Sequence, residues 1–119
     1  MRDVAEFLKL KQNADFRRLY RRGKVVVDPA LVVYYAQNRA GQCRVGVSSS
    51  KKIGNAVARN RARRVLTAAF REACPQVKPG YDFVLVARTA TRYKKSTAVA
   101  RTMRAMFAAE GLLKEAKPR

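Results

Sequence analysis

The sequence predicts a two-layer α/β (α+β) sandwich in the order αβββαβα, built on a four-stranded sheet. Three observations carry the prediction. Val- and Tyr-rich runs joined by short turns fill residues 24–48, one long amphipathic run follows Gly54, and a lone apolar run, Phe83-Val84-Leu85-Val86, precedes a final helical pattern. Strand and helix signals in this order point to helices packed on one sheet.

Asp15 is a candidate N-cap for a short first helix in which Phe16, Leu19 and Tyr20 share one face, and Gly23 marks its end. Lys24 to Asp28 reads as a first strand closed by a turn at Asp28-Pro29. Leu31 to Gln37 is a second, and Cys43 to Ser48 a third beyond the turn Asn38-Arg39-Ala40-Gly41. Connections this short favour an antiparallel meander, because parallel pairing needs a longer crossover. Gly54 breaks the backbone after Ser48-Ser49-Ser50, and a helix from about Asn55 to Ala73 follows, stopped by Pro75. At about 100° per residue, Ala58, Ala62, Val65, Leu66, Ala69 and Ala73 form one stripe of it. Asn60, Arg64, Thr67 and Arg71 lie opposite, flanked by Arg59, Arg61 and Arg63. Asp82 to Ala87 is a buried strand. Ser96 is a candidate cap for a last helix whose Val99, Met103, Met106 and Phe107 face inward as core. Without repeats or low-complexity linkers, residues 1–119 form one domain, with an ordered core of about 8–113 and loose basic ends, Met1 to Leu10 and roughly Glu115 to Arg119.

Charge narrows the function. The chain has 119 residues, a net charge of +19 and a pI near 11.1, with 48% apolar content. That apolar share supports a packed interior, and the charge points to nucleic acid as partner. A membrane surface is the weaker alternative, because no apolar run approaches the roughly 18 residues of a spanning helix. The N-terminus, Met1-Arg2-Asp3-Val4-Ala5-Glu6, lacks the apolar core of a signal peptide, so a cytoplasmic location is expected. Between Asp28 and Glu72 there is no acidic residue, which leaves the positive field of Lys51 to Arg64 unneutralised. A solvated tail would carry such a run too, but Ile53, Val57, Val65, Leu66 and Phe70 are threaded through it, and a tail has no use for them.

Catalytic groups are scarce. The chain has no histidine, and its eight carboxylates show no paired spacing of the DxD or ExxH type. Ser48, Ser49 and Ser50 would need Lys51 or Lys52 as base, and read instead as turn and phosphate contacts. Cys43 and Cys74 have no CxxC partner and no histidine to complete a zinc site, so they read as thiols and no metal site is expected. The binding chemistry is better defined. Lys51, Lys52 and the arginines neutralise phosphates, arginine with a planar fork. Phe16, Tyr20 and Tyr34 offer faces on which unpaired bases stack, although Phe16 and Tyr20 at i, i+4 also suit an ordinary core. Tyr34 and Tyr35 point to opposite faces of the sheet. On the residues alone, a ribosomal-type or general RNA-binding protein and a DNA-binding architectural protein both stay open.

The run Arg44-Val45-Gly46-Val47-Ser48-Ser49-Ser50-Lys51-Lys52-Ile53-Gly54-Asn55-Ala56-Val57-Ala58-Arg59-Asn60-Arg61-Ala62-Arg63-Arg64 closely resembles the signature of the bacterial ribonuclease P protein component, with Arg59-Asn60-Arg61 as its hallmark. Phe16, Gly23, Tyr34 and Asp82 to Arg88 extend the resemblance over roughly residues 8–113. It implies a ribosomal-protein-like fold in which the long basic helix makes a left-handed βαβ crossover. It also implies a non-catalytic partner of a catalytic RNA that removes 5′ leaders from precursor tRNA, with Mg²⁺ held by the RNA and its substrate, and neither DNA nor membrane involved. Lys51, Lys52, Asn55, Arg59, Asn60, Arg61, Arg63 and Arg64 would then bind the catalytic RNA. A cleft lined by Phe16, Tyr20, Tyr34 and Arg88 would hold the single-stranded leader. Thr67 stands where the family usually has a further arginine, so one RNA contact is expected to be missing.

Overall fold

The computed structural model of the protein describes residues 7–114. The chain runs β1 (Leu8–Lys9), α1 (Asn13–Arg22), β2 (Lys24–Val27), β3 (Leu31–Gln37), β4 (Arg44–Ser48), α2 (Ala56–Ala73), β5 (Tyr81–Ala87) and α3 (Ser96–Ala109). The sheet order is β1-β4-β5-β3-β2. The apolar run of β5 accounts for its central place: Phe83, Val84 and Leu85 are all fully buried, which only a strand covered on both faces achieves. β5 pairs antiparallel with β3 over seven residues, Leu31↔Ala87 to Gln37↔Tyr81, and parallel with β4, Arg44↔Asp82 to Ser48↔Val86.

This order corrects the expected meander. β2 and β3 do pair antiparallel, but β5 separates β3 from β4. The connection through α2 is long enough for a parallel crossover, and the most apolar strand takes the middle because that position removes the most apolar area from water. A fifth strand also forms in the segment expected to be loose. Leu8 and Leu10 donate their amides to Cys43 O and Val45 O at 2.9 and 2.8 Å, and the Phe7 ring stands edge-on to Phe70 with centroids 5.1 Å apart. The remaining expected loose residues lie outside the described ones.

Each face of the sheet has its own core. Leu31, Val33 and Tyr35 of β3, with Phe83 and Leu85 of β5, meet the predicted stripe of α2, now including Phe70, and Val99, Met103, Met106 and Phe107 of α3. On the other face Leu10, Leu19 and Val84 are buried, with Phe16, Tyr34, Ala36 and Val86 packed against them. Tyr34 and Tyr35 therefore do part to opposite faces. Of the apolar residues threaded through the charged run, Val57 is the exception, 73% exposed on the outer side of α2.

Helix starts differ in detail from the expected caps. Gln12 precedes α1, so Asp15 sits in the first turn, where a carboxylate favours the positive helix end, and pairs with Arg18 at 3.3 Å. Ser96 is the first residue of α3 and makes no side-chain cap, Lys95 preceding it. Asn55 does cap α2, accepting from Ala58 N at 2.9 Å. Cys43 and Cys74, distant in sequence, meet as buried thiols that hydrogen-bond to each other; that bond, then burial, pushes Cys43 up.

Candidate nucleic-acid interface

α2 is preceded by a 3₁₀ turn, Lys51–Ile53, in which Ser50 Oγ accepts from Lys52 N at 3.3 Å and Ile53 is buried. Gly54 follows at φ 142°, a conformation that side chains disfavour. This anchor leaves Lys51 and Lys52 exposed beside the N-terminal end of an 18-residue helix, where unpaired amides and the helix dipole favour anions.

The arginines of α2 divide by what they hold. Arg64 and Asn60 point outward. Arg59 folds back to donate to Gly54 O at 2.9 Å, Arg61 Nε donates to Arg92 O at 2.8 Å, and Arg63 donates to Ser49 Oγ at 3.0 Å and to Asn60 Oδ1. Each guanidinium has five N–H donors, so these bonds fix the side chain and leave donors over. Held side chains lose less freedom on binding than floppy ones. Of the predicted set, Arg59, Arg61 and Arg63 thus brace the helix against its neighbours, Asn55 serves as its cap, and Lys51, Lys52, Asn60 and Arg64 are exposed.

On the opposite sheet face α1 leaves a cleft. The rings of Phe16, Tyr20 and Tyr34 form a chain of edge contacts, with centroids 6.4 Å and 4.9 Å apart, and Tyr20 is 42% exposed. Beyond them the β2–β3 edge is open: Val25 and Val27, opposite Tyr34 and Val32 in register, are 51% and 62% exposed. Gly46 seats Phe16, because a Cβ there would fall 2.4 Å from Phe16 Cζ. Arg88 stands past Val86 beyond the end of β5, exposed, with its guanidinium donating to Asp28 O at 3.3 Å and so turned toward the β2–β3 turn rather than joined to the chain of rings. A groove of about 520 Å³ links the two surfaces, with Phe16, Arg17 and Tyr20 on one wall and Ser48, Ser49 and Arg63 on the other.

What positions α1 was not legible in the sequence. Asp82 is fully buried on the α1 face and accepts four hydrogen bonds: from Asn38 Nδ2 and Arg44 Nε at 2.7 Å each, Arg44 NH2 at 2.8 Å and Arg18 NH2 at 2.7 Å. Burial pushes its carboxyl up, but the bonds from Arg44, Arg18 and Asn38 outweigh this and hold it below the usual carboxylate range. Arg18 belongs to α1, so this hub ties the aromatic helix to three separate stretches of the sheet. The only signal was an acidic residue opening an otherwise apolar strand.

Among the described residues no three His, Cys, Asp or Glu side chains gather, and no helix is long and apolar enough to cross a membrane. Fold and surfaces together define a class: a small basic α+β sandwich with a braced cationic helix and an aromatic cleft on opposite faces of one sheet. The sequence matches the ribonuclease P family over residues 4–110. It is 39% identical over 111 residues to the ribonuclease P protein component of Oceanobacillus iheyensis, covering 92% of this chain and 91% of that one. It is 49% identical over 79 residues to that of Pelotomaculum thermopropionicum, covering 66% of this chain and 70% of the relative. The Staphylococcus aureus RNase P protein superposes with a TM-score of 0.76 at 28% identity, over 89% of this chain and 97% of that one. The Thermotoga maritima protein, at 24% identity and a TM-score of 0.68 over 86% and 93%, shares the fold. The chain belongs to the ribonuclease P protein family, the protein subunits of the ribonucleoprotein enzyme that matures tRNA 5′ ends.

Proposed function

We propose that the protein binds the catalytic RNA of ribonuclease P through the outward cations around the start of α2, and holds the single-stranded 5′ leader of precursor tRNA in the aromatic cleft. Lys51, Lys52 and Arg64 supply free cations for phosphates, while Arg59, Arg61 and Arg63 add theirs from fixed positions. Phe16, Tyr20 and Tyr34 offer ring faces to leader bases, and stacking tolerates any base because each has a π-face. Arg88 adds an exposed cation beyond the end of β5. The RNA performs the hydrolysis in this reading, with Mg²⁺ bound by RNA and substrate: among the described residues the one fully buried carboxylate, Asp82, has its oxygens occupied by guanidinium and amide donors. The working location is the cytoplasm, where precursor tRNA is made.

The observation that carries the proposal is the groove joining Phe16 and Tyr20 to Ser49 and Arg63. One continuous surface can therefore grip an RNA at α2 and guide a flexible strand along the sheet. The test adds the protein to catalytic RNA and precursor tRNA at low Mg²⁺. Faster 5′ cleavage, with greater gain for leader-bearing substrate than for leaderless tRNA binding, is expected. No stimulation, or cleavage by the protein free of RNA, refutes the assignment.

A further inference from the structure

A second acid-free stretch, from Phe83 to Ala109, contains Arg88, Arg92, Lys94 and Lys95, and the fold brings its 3₁₀ turn, Thr89–Tyr93, against the start of α2. The turn is fixed from below. Thr91 is fully buried, its hydroxyl donating to Ala30 O at 2.5 Å and accepting from Arg88 N at 2.8 Å. It is also fixed from the side. Arg61 Nε donates to Arg92 O at 2.8 Å, and the Arg92 guanidinium donates to Ile53 O at 2.8 Å. Space for that guanidinium exists because residue 54 is glycine: a Cβ there would lie 2.5 Å from Arg92 NH1.

The product of these braces is a presented ring. Arg92 lies over the Tyr93 ring, its Cζ 4.5 Å from the centroid, and its NH2 donates to the Tyr93 hydroxyl. Tyr93 is nevertheless 70% exposed. A tyrosine held by a stacked guanidinium has already lost much of the freedom that binding would cost, and its uncovered face remains open to solvent. Lys51 and Lys52, both exposed, directly precede Ile53, whose carbonyl Arg92 holds, and Lys94 and Lys95 follow Tyr93 in the chain. With no carboxylate in either stretch, the surface fits a polyanion carrying aromatic groups better than a protein partner, which would bring acids of its own only by chance.

We infer that Tyr93, clamped by Arg92 and Arg61, is a stacking platform for an unpaired base of the catalytic RNA, with the neighbouring lysines taking its phosphates. The inference rests on the reading of α2 as the face for that RNA. It gives Arg61 a positioning role, as the residue that docks the platform onto the helix.

The experiment measures binding of the catalytic RNA across a salt series. Tyr93→Ala should weaken binding about 5- to 150-fold at every salt concentration with the slope unchanged, because a lost stack releases no counterions. Tyr93→Phe should stay within about threefold of the parent, since the ring face is kept. The chain has no tryptophan, so Tyr93→Trp adds a single fluorophore whose emission should be quenched when the RNA binds. Unaltered affinity in Tyr93→Ala, a lowered salt slope, or unquenched tryptophan emission would overturn the platform. Arg64→Ala separates the failures. If it weakens binding while Tyr93→Ala does not, only the platform falls; if the parent protein does not bind the RNA at all, the reading of α2 falls with it.

Discussion

Replacing Asp82 by asparagine removes the charge at the junction of α1, β4 and β5 and leaves the shape nearly unchanged. Four donors within 2.8 Å converge on the carboxylate, three of them from arginine. Breaking one partner out of a buried ion pair costs about 3–5 kcal/mol when the remaining charge stays buried. Here the orphaned guanidinium groups keep access to water, with 36% of the Arg18 and 29% of the Arg44 side chain exposed, so the lower end, about 3 kcal/mol, applies. For a domain of this size that corresponds to a fall in Tm of roughly 10 °C or more at neutral pH. Acid supplies the independent check. The folded pKa of Asp82 lies below its unfolded value, so its contribution is complete above an unfolded pKa of about 3.9 and disappears as pH falls through the lower, folded value. Thermal unfolding of parent and variant should therefore converge as pH drops below about 4. Because Arg18 is the link to the aromatic helix, discrimination between leader-bearing and leaderless tRNA should fall more than affinity for the catalytic RNA. A variant melting within about 2 °C of the parent at pH 7, or keeping the same difference at acid pH, would refute the reasoning.

Gly46→Ala should destabilise by about 1–3 kcal/mol and displace Phe16, since its new methyl meets the ring at 2.4 Å; denaturant unfolding reads the loss, and an unchanged midpoint would contradict the contact. Phe16→Ala should reduce affinity for leader-bearing substrate by roughly 1–3 kcal/mol and leave leaderless tRNA alone, whereas an equal loss for both would return Phe16 to the core. Arg64→Ala should lower the salt slope of RNA binding by about one unit or less without altering Tm, and Arg61→Ala should do the same while also lowering Tm, because it frees the Arg92 carbonyl. Burial, then the 2.5 Å bond to Glu110, pushes the Tyr35 hydroxyl up to about 12. Its contribution to stability is full below the unfolded value of about 10 and lost as pH rises through the folded one, so ultraviolet titration should find one tyrosine ionising late, and Glu110→Gln should bring it earlier.

The parts that could be read in the sequence are those with local signals. The period of α2 gave its buried stripe and its cationic side, and alternation in β3 separated Tyr34 from Tyr35. Non-local features could not be read. β1 is two residues long, too short for any period, and its partner is 36 residues away along the chain. The meander expectation failed because turn length constrains which strands can neighbour, while burial of β5 decides which do. Val57 sat among charges as a core residue would, yet falls on the outer side of the helix. The aromatic cleft was visible as residue types; the glycine that admits Phe16 and the carboxylate that docks α1 were not, their partners being 30 and 64 residues distant.

Strand β3 places neighbouring tyrosines in unlike worlds, Tyr34 opposite Val84 in the cleft and Tyr35 opposite Phe83 in the core, within one ladder of seven pairs. Slipping that ladder by a single residue would trade their places and send every side chain of the strand through the sheet. Point substitution can thus tune what the groove accepts without disturbing the interior. Gain or loss of a residue inside Leu31–Gln37 cannot, so divergence in this strand must proceed by exchange of letters at constant length.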